Sequence, residues 1–221
     1  MKVIIFGATG MVGGGVLREC LLDSGVEQVL TVARKATGQL DGKLREIVHR
    51  NLLDLSAIEK ELSGYDACFF CLGVSSVGMN EAEYRRITYG ITMAAAETLV
   101  RLNSGMIFVY VTGAGTDSTE KGRVMWARVK GATENALLRM PFKGAYMFRP
   151  AAIQPLHGMR SKTKLYQAFY VVLAPLLSLG VRWLPKYVTT TEQVGKAMLK
   201  VAREGANKRV LESEDINAIC R

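Results

Sequence analysis

The sequence predicts an α/β fold, a doubly wound parallel sheet with a small, mostly helical C-terminal portion. Three observations carry that expectation. Short apolar runs alternate with helical patterns through the first 150 residues, which is how strands buried on both faces and their crossover helices read. The first of these runs, Val3-Ile4-Ile5-Phe6, is followed at once by glycines at 7, 10 and 13. The chain has 221 residues, 49% hydrophobic and 22% charged, which suits one domain with a full core. Residues 1–150 are read as its nucleotide-binding core and 151–221 as the part completing the site.

Val3–Phe6 is the first strand. Gly7 permits a tight turn out of it, Gly10 lets the backbone approach a pyrophosphate, and Gly13 lets the next helix pack close to the sheet. The free N–H groups at the helix start then face the anion. Gly7, Thr9, Gly10, Met11, Val12 and Gly13 are therefore the first candidate contacts to a dinucleotide. The helix is expected from about Met11 to Asp23, with Val12, Val16, Leu17, Leu21 and Leu22 on its apolar side and Gly25 after its end.

Gln28–Ala33 is the second strand, and Arg34 and Lys35 follow it directly. An acid at this place holds the ribose hydroxyls of NAD. Arg34 can instead pair bidentately with a 2′-phosphate, and Lys35 adds a point charge. The expected cofactor is NADP(H) in preference to NAD(H). Leu44–His49 is a third strand, and Leu55–Leu62 a helix for which Asp54 can be the N-cap, an acceptor for the adenine amino group, or both. The fourth strand, Ala67–Leu72, ends at Gly73, where the backbone can pass close to ribose and phosphates.

Asn80–Leu102 reads as one long helix capped by Asn80. Met106–Val111 is the fifth strand and ends in Thr112-Gly-Ala-Gly-Thr116; 122–138 is helical; Ala145–Arg149 is the sixth strand before Pro150. Beyond it, Arg160, Lys162 and Lys164 precede an uncharged run, 165–181, interrupted by Pro175. A span needs about 20 apolar residues. The run is read first as a buried helix over the site or a dimer interface, then as an interfacial helix on acidic lipid, and last as a span. Thr191–Ala202 is a capped amphipathic helix with Val194, Ala197, Met198 and Val201 inward.

The formal net charge of +9 suits anionic ligands, but no nucleic-acid motif accompanies it, and no nucleic-acid partner is expected. Of the four cysteines, Cys68 and Cys71 form a C-x-x-C inside a strand. Residues three apart on a strand point to opposite faces, so structural thiols are expected and no metal. Met1-Lys2 leads straight into the first strand, so no signal peptide and a cytoplasmic location are expected.

Taken together, G-A-T-G-x-x-G, Ala33-Arg34, Asp54-Leu55, Cys71-Leu72-Gly73 and Phe148-Arg149-Pro150 resemble the atypical branch of the short-chain dehydrogenase/reductase superfamily. The nearest likeness is to its Tat-interacting-protein-like and NmrA-like NADPH-binding group. The resemblance implies cofactor contacts from Asp54, Leu55, Cys71, Leu72, Gly73, Thr112, Lys130 and the Pro150-Ala151-Ala152-Ile153 loop. In catalytic members a Ser or Thr after the fifth strand orients the substrate carbonyl, and a Tyr-x-x-x-Lys pair on the next helix supplies the proton. Thr112 and Lys130 match two of these places, but the tyrosine's place holds Trp126. An indole N–H cannot act as an acid near neutral pH. Trp126 stacks on the nicotinamide or substrate, or is core. Tyr84, Tyr89, His157, Tyr166, water or Lys130 itself are the remaining proton sources.

Two functions follow as expectations. One is an NADP(H)-dependent oxidoreductase acting on a small carbonyl or sugar-derived substrate, with Thr112, Trp126 and Lys130 at the reaction centre. The other is a non-catalytic NADP(H)-binding redox sensor or scaffold. Peripheral membrane contact through 162–181 fits either, and a homodimer is expected from the resemblance.

Overall fold

The computed structural model describes residues 1–159 and 184–220. The long apolar run 165–181, with Arg160, Lys162, Lys164 and Tyr166, lies outside the described residues. Seven strands form one sheet: β1 (Lys2–Phe6), β2 (Gln28–Ala33), β3 (Leu44–Val48), β4 (Ala67–Phe70), β5 (Ile107–Val111), β6 (Gly144–Arg149) and β9 (Val210–Glu212). Their order is β3-β2-β1-β4-β5-β6-β9, and every pairing is parallel. The order reverses between β1 and β4, where such a sheet opens a ligand crevice. Two further strands, β7 (Ala152–Gln154) and β8 (Val188–Thr190), pair with each other in parallel.

The apolar runs are continuous because both sheet faces are covered. On β1, Val3 and Ile5 face one core with Val16, Leu17 and Cys20 of α1 (Met11–Leu22) and Val194, Met198 and Val201 of α5 (Thr191–Glu204). Ile4 and Phe6 face the other, with Leu99 of α3 (Ile91–Leu102) and Leu137 of α4 (Met125–Arg139). An aromatic row runs through this second core, with Phe6 and Phe70 5.3 Å and Phe70 and Phe108 6.0 Å apart between ring centres. Cys68 lies in the second core and Cys71 packs on the first, on opposite faces as expected. All four cysteines are free.

Several elements depart from the expectations. The segment after Asp54 is a 3₁₀ helix over Ser56–Leu62, with Leu55 at its N-cap and no side-chain cap; Asp54 Oδ1 instead accepts from the Ser56 N–H (3.0 Å). The expected single helix from Asn80 is divided into α2 (Glu81–Arg85), a π turn over Arg86–Gly90 and α3. Asn80 does cap it, in a reciprocal pair with Glu83. The cap of α5 is Thr190, paired with Gln193. β7, β8, β9 and α6 (Ser213–Ile219) were not foreseen.

Candidate functional site

The glycine loop is built by close contact. Gly7 leaves β1 at φ +84°, and a Cβ there would meet Leu72 N at 2.6 Å. A Cβ on Gly13 would stand 2.2 Å from the Gly7 carbonyl oxygen. Both positions exclude any side chain, and α1 therefore begins directly on the loop. Gly10 is its N-cap, with no side-chain cap and no acid in the first turn. The positive end of α1 is thus left for an external anion. Thr9, Met11 and Val12 complete this edge, and the Cys71 N–H donates to the Phe6 carbonyl (2.9 Å), bringing Cys71, Leu72 and exposed Gly73 beside it.

Arg34 and Lys35 are exposed at the carboxyl end of β2, the neighbour of β1 on the same side of the crevice. Asp54 is exposed, its carboxyl held below the usual range by the Ser56 backbone and side chain. His49 Nε2 lies 2.7 Å from the Asp54 carbonyl oxygen. Leu55 is 2% exposed and belongs to the second core. Its side chain is a packing element, which leaves its backbone for any ligand contact.

Across the crevice, Thr112 follows directly on β5, and α4 carries Trp126 in its first turn and Lys130 one turn on. Lys130 Nζ donates to the Thr112 carbonyl (2.7 Å). Burial pushes the lysine pKa down to about 8, against an opposing pull from Glu134. The Thr112 hydroxyl does not face the crevice. It is buried and lies 2.6 Å from Glu134 Oε1, to which it donates, and 3.2 Å from the Phe148 carbonyl. Its expected role towards a substrate carbonyl does not fit this geometry, because its one proton is already committed.

Glu134 is the residue that sequence reasoning missed. It is 1% exposed. Arg149 Nε donates to both its oxygens at 3.0 and 3.1 Å, and a terminal guanidinium nitrogen adds another bond. That same nitrogen reaches Ser118 Oγ (2.6 Å). The available signal was spacing: Glu134 lies four residues after Lys130, on the same face of α4. Trp126 is half-buried, and its Cη2 would be 3.6 Å from a Cβ on Gly115. The 150–153 loop is tied to this region, since the Ala114 N–H donates to the Pro150 carbonyl (3.0 Å). The Ala151 N–H donates to Ser213 Oγ (2.9 Å), and Ile153 is buried.

The other proton sources separate cleanly. Tyr84 is 2% exposed in the core, and burial raises its phenol pKa. Tyr89 lies under the Arg85 guanidinium, 4.6 Å from its ring centre. His157 Nε2 sits 2.8 Å from Glu192 Oε2. Among the described residues no His, Cys, Asp and Glu cluster could hold a metal ion, and no helix is long and apolar enough to cross a membrane. A cavity of 630 Å³ lies apart from these residues, lined by Tyr146, Lys200, Asn207 and Lys208 among others.

Sheet order, glycine loop and helix-borne lysine together define a nucleotide-binding Rossmann protein of the short-chain dehydrogenase/reductase type. A family model of the NAD dependent epimerase/dehydratase family matches residues 3–119. The chain belongs to that family. It is 26% identical over 186 residues to Protein FMP52-1, mitochondrial, of Scheffersomyces stipitis, covering 81% of each chain. It is 23% identical over 209 residues to Protein FMP52, mitochondrial, of Meyerozyma guilliermondii, covering 92% of this chain and 86% of that one. The expected cytoplasmic location is overturned by these relatives, whose names place them in mitochondria. In fold it is similar to the Bordetella bronchiseptica enzyme WbmF, solved in complex with NAD+ (TM-score 0.68, 15% identity, 98% of this chain and 76% of that chain). It is also similar to the UDP-glucuronic acid 4-epimerase of Bacillus cereus, solved with NAD (TM-score 0.68, 14% identity, 96% and 76%).

Proposed function

We propose that the chain binds NADP(H) and acts as an oxidoreductase on a small carbonyl or sugar-derived substrate, with Lys130 as the proton source. Three features support the fit of the cofactor. Gly7 and Gly13 pack the loop so tightly on neighbouring backbone that α1 starts directly on it, α1 offers an uncapped N-terminus, and Arg34 and Lys35 stand exposed at the end of β2. The glycine loop would hold the pyrophosphate, and Arg34 and Lys35 the 2′-phosphate. The cofactor, when bound, supplies or accepts a hydride. The observation that carries the catalytic part is Lys130: it is anchored on the Thr112 carbonyl, and its pKa of about 8 lies in range for proton transfer near neutrality.

The test is NADPH oxidation over a panel of aldehydes, ketones and nucleotide-sugar-derived carbonyls, with Lys130→Met beside the wild type. Turnover that falls by about 10²-fold or more in the variant is the expected result. A second reading, a non-catalytic NADP(H)-binding sensor or scaffold of the NmrA-like kind, is favoured by two observations. Trp126 has no acidic proton, and the Thr112 hydroxyl is turned into the protein. Background oxidation across the whole panel with NADPH binding intact would establish that reading. Loss of binding itself would remove both.

A further inference from the structure

Lys130 is not held by its own helix. Its ammonium rests on the carbonyl of Thr112 (2.7 Å), at the end of β5. The hydroxyl of the same residue is fixed 2.6 Å from Glu134 Oε1. Glu134 is locked in turn by Arg149 of β6, whose guanidinium spans both carboxylate oxygens and continues to Ser118 Oγ. A chain of bonds thereby links the end of β5, the β5–α4 loop, α4 and β6 through Thr112, Glu134 and Arg149. Glu134 is 1% exposed, so its charge is matched from inside the protein, where an unpaired carboxylate would be costly. The cluster contains more than a single helix–strand contact would require.

We propose that Glu134, clamped by Arg149, is a positioning residue for Lys130: it fixes Thr112 so that the Thr112 carbonyl presents itself to the lysine ammonium. The inference rests on the reading of Lys130 as a working residue of the cofactor site, and it adds how that residue is placed and charged. Thr112 then serves as a bracket with two ends. Its hydroxyl answers to Glu134, and its carbonyl answers to Lys130.

The charge environment gives the arrangement a sign. The groups facing Lys130 are Glu134 on α4 and the Thr112 carbonyl just after β5; Arg149 on β6 pairs with Glu134, and Asp117 in the β5–α4 loop and Glu212 on β9 face Arg149. Glu134 favours the protonated lysine against the desolvation that disfavours it. Removing the Glu134 charge lowers the lysine's midpoint by taking away that opposing pull.

The experiment is the titration of Lys130 in the intact protein without cofactor, by competitive acetylation with acetic anhydride across pH 6–11, read at Lys130 by mass spectrometry. NADPH affinity at pH 7 is measured in parallel. Glu134→Gln keeps an oxygen for the Thr112 hydroxyl and removes the charge. The expected result is a midpoint lower by about 1 pH unit, the scale of losing one nearby opposite charge. Thr112→Val is expected to lower it as well, and Thr112→Ser to restore it. Where Glu134→Gln fails to fold, the paired variant Glu134→Gln/Arg149→Met removes both buried charges and takes its place. Midpoints unchanged in the folded variants, with only thermal stability reduced, would overturn the inference. Failure of the cofactor reading is a separate outcome: Lys130→Met would then leave NADPH affinity unchanged, whatever the midpoints do.

Discussion

Gly131→Ala tests the packing that sets Lys130 and opposes two effects of known size. In an isolated helix the change stabilises, because alanine is favoured over glycine by about 1 kcal/mol in a helix interior. Here a Cβ on Gly131 would stand 1.8 Å from the Asp117 carbonyl oxygen and 2.5 Å from its carbon. Both are backbone atoms, in a loop whose Asp117 carboxylate accepts from Thr119 and Gly122 N–H groups at 3.0 and 2.7 Å. No rotamer relieves such a contact, so α4 or the loop must move. Overpacking of this kind costs up to about 3 kcal/mol, which leaves a net loss of about 2 kcal/mol after the propensity gain. For a chain of this size that is a fall in Tm of about 4–8 °C. Thermal melting followed by circular dichroism at fixed protein concentration measures it, and a urea midpoint checks it. The displacement also moves Lys130, so weaker NADPH binding is expected alongside. A Tm equal to the wild type's, or higher, would refute the reasoning, because helix propensity would then have outweighed the contact.

If Arg34 holds the 2′-phosphate as proposed, Arg34→Asp, which puts an acid suited to ribose hydroxyls in its place, is expected to turn the affinity ratio from NADPH towards NADH. The loss of one charge-assisted pair is worth about 10- to 100-fold in the affinity ratio, read by fluorescence titration; an unchanged ratio removes Arg34 from the site. Glu192 is bonded by Lys196 and His157, which hold its carboxyl down at about 2. Its folded pKa lies below the unfolded value, so its contribution is present above about pH 4.5 and is lost as pH falls through about 2. Glu192→Gln is therefore expected to cost about 1 kcal/mol at pH 7 after allowance for solvent screening, with the gap to wild type closing towards pH 2 in urea melts. Cys20 and Cys68 are fully buried with raised thiol pKa values, and burial brings Cys71 to about 12 and Cys220 to about 11. Slow reaction with an aromatic disulfide reagent at pH 8, becoming fast in denaturant, is expected; rapid native labelling of any of the four would contradict it.

The sheet was legible where packing imposes a pattern. Val3–Phe6 and Val29–Ala33 are buried on both sides, and a near-continuous apolar run follows directly from that. The glycine spacing was legible for the same reason, since Gly7 and Gly13 touch backbone atoms that tolerate no side chain. Other features left no such trace. β7, β8 and β9 have three residues each, too few to show an alternation. The π turn at Arg86–Gly90 adds one residue to a helical period without breaking it. The pairing of Glu134 with Arg149 left no trace either, because a buried ion pair and a solvated one have the same letters. The Thr112 hydroxyl was assigned outward by analogy, and only its distance from Glu134 shows where its proton goes.

The packing of α1 against α5 carries a consequence for the order in which the protein can be made. A Cβ on Gly15 would meet the Thr191 Cβ at 2.6 Å, and a Cβ on Gly195 the Glu19 Cγ at 2.7 Å. The helix that opens the glycine loop therefore leans on residues made some 180 positions later. A nascent chain that has just completed β6 already carries every glycine of the loop, while Val16, Leu17 and Cys20 still lack Val194, Met198 and Val201 as cover. Contacts this far apart in sequence form late and fold slowly. The nucleotide loop thus leaves the ribosome well before the helix that supports it. An N-terminal fragment ending at Arg149 is expected to expose that face to chaperones rather than to bind nucleotide by itself.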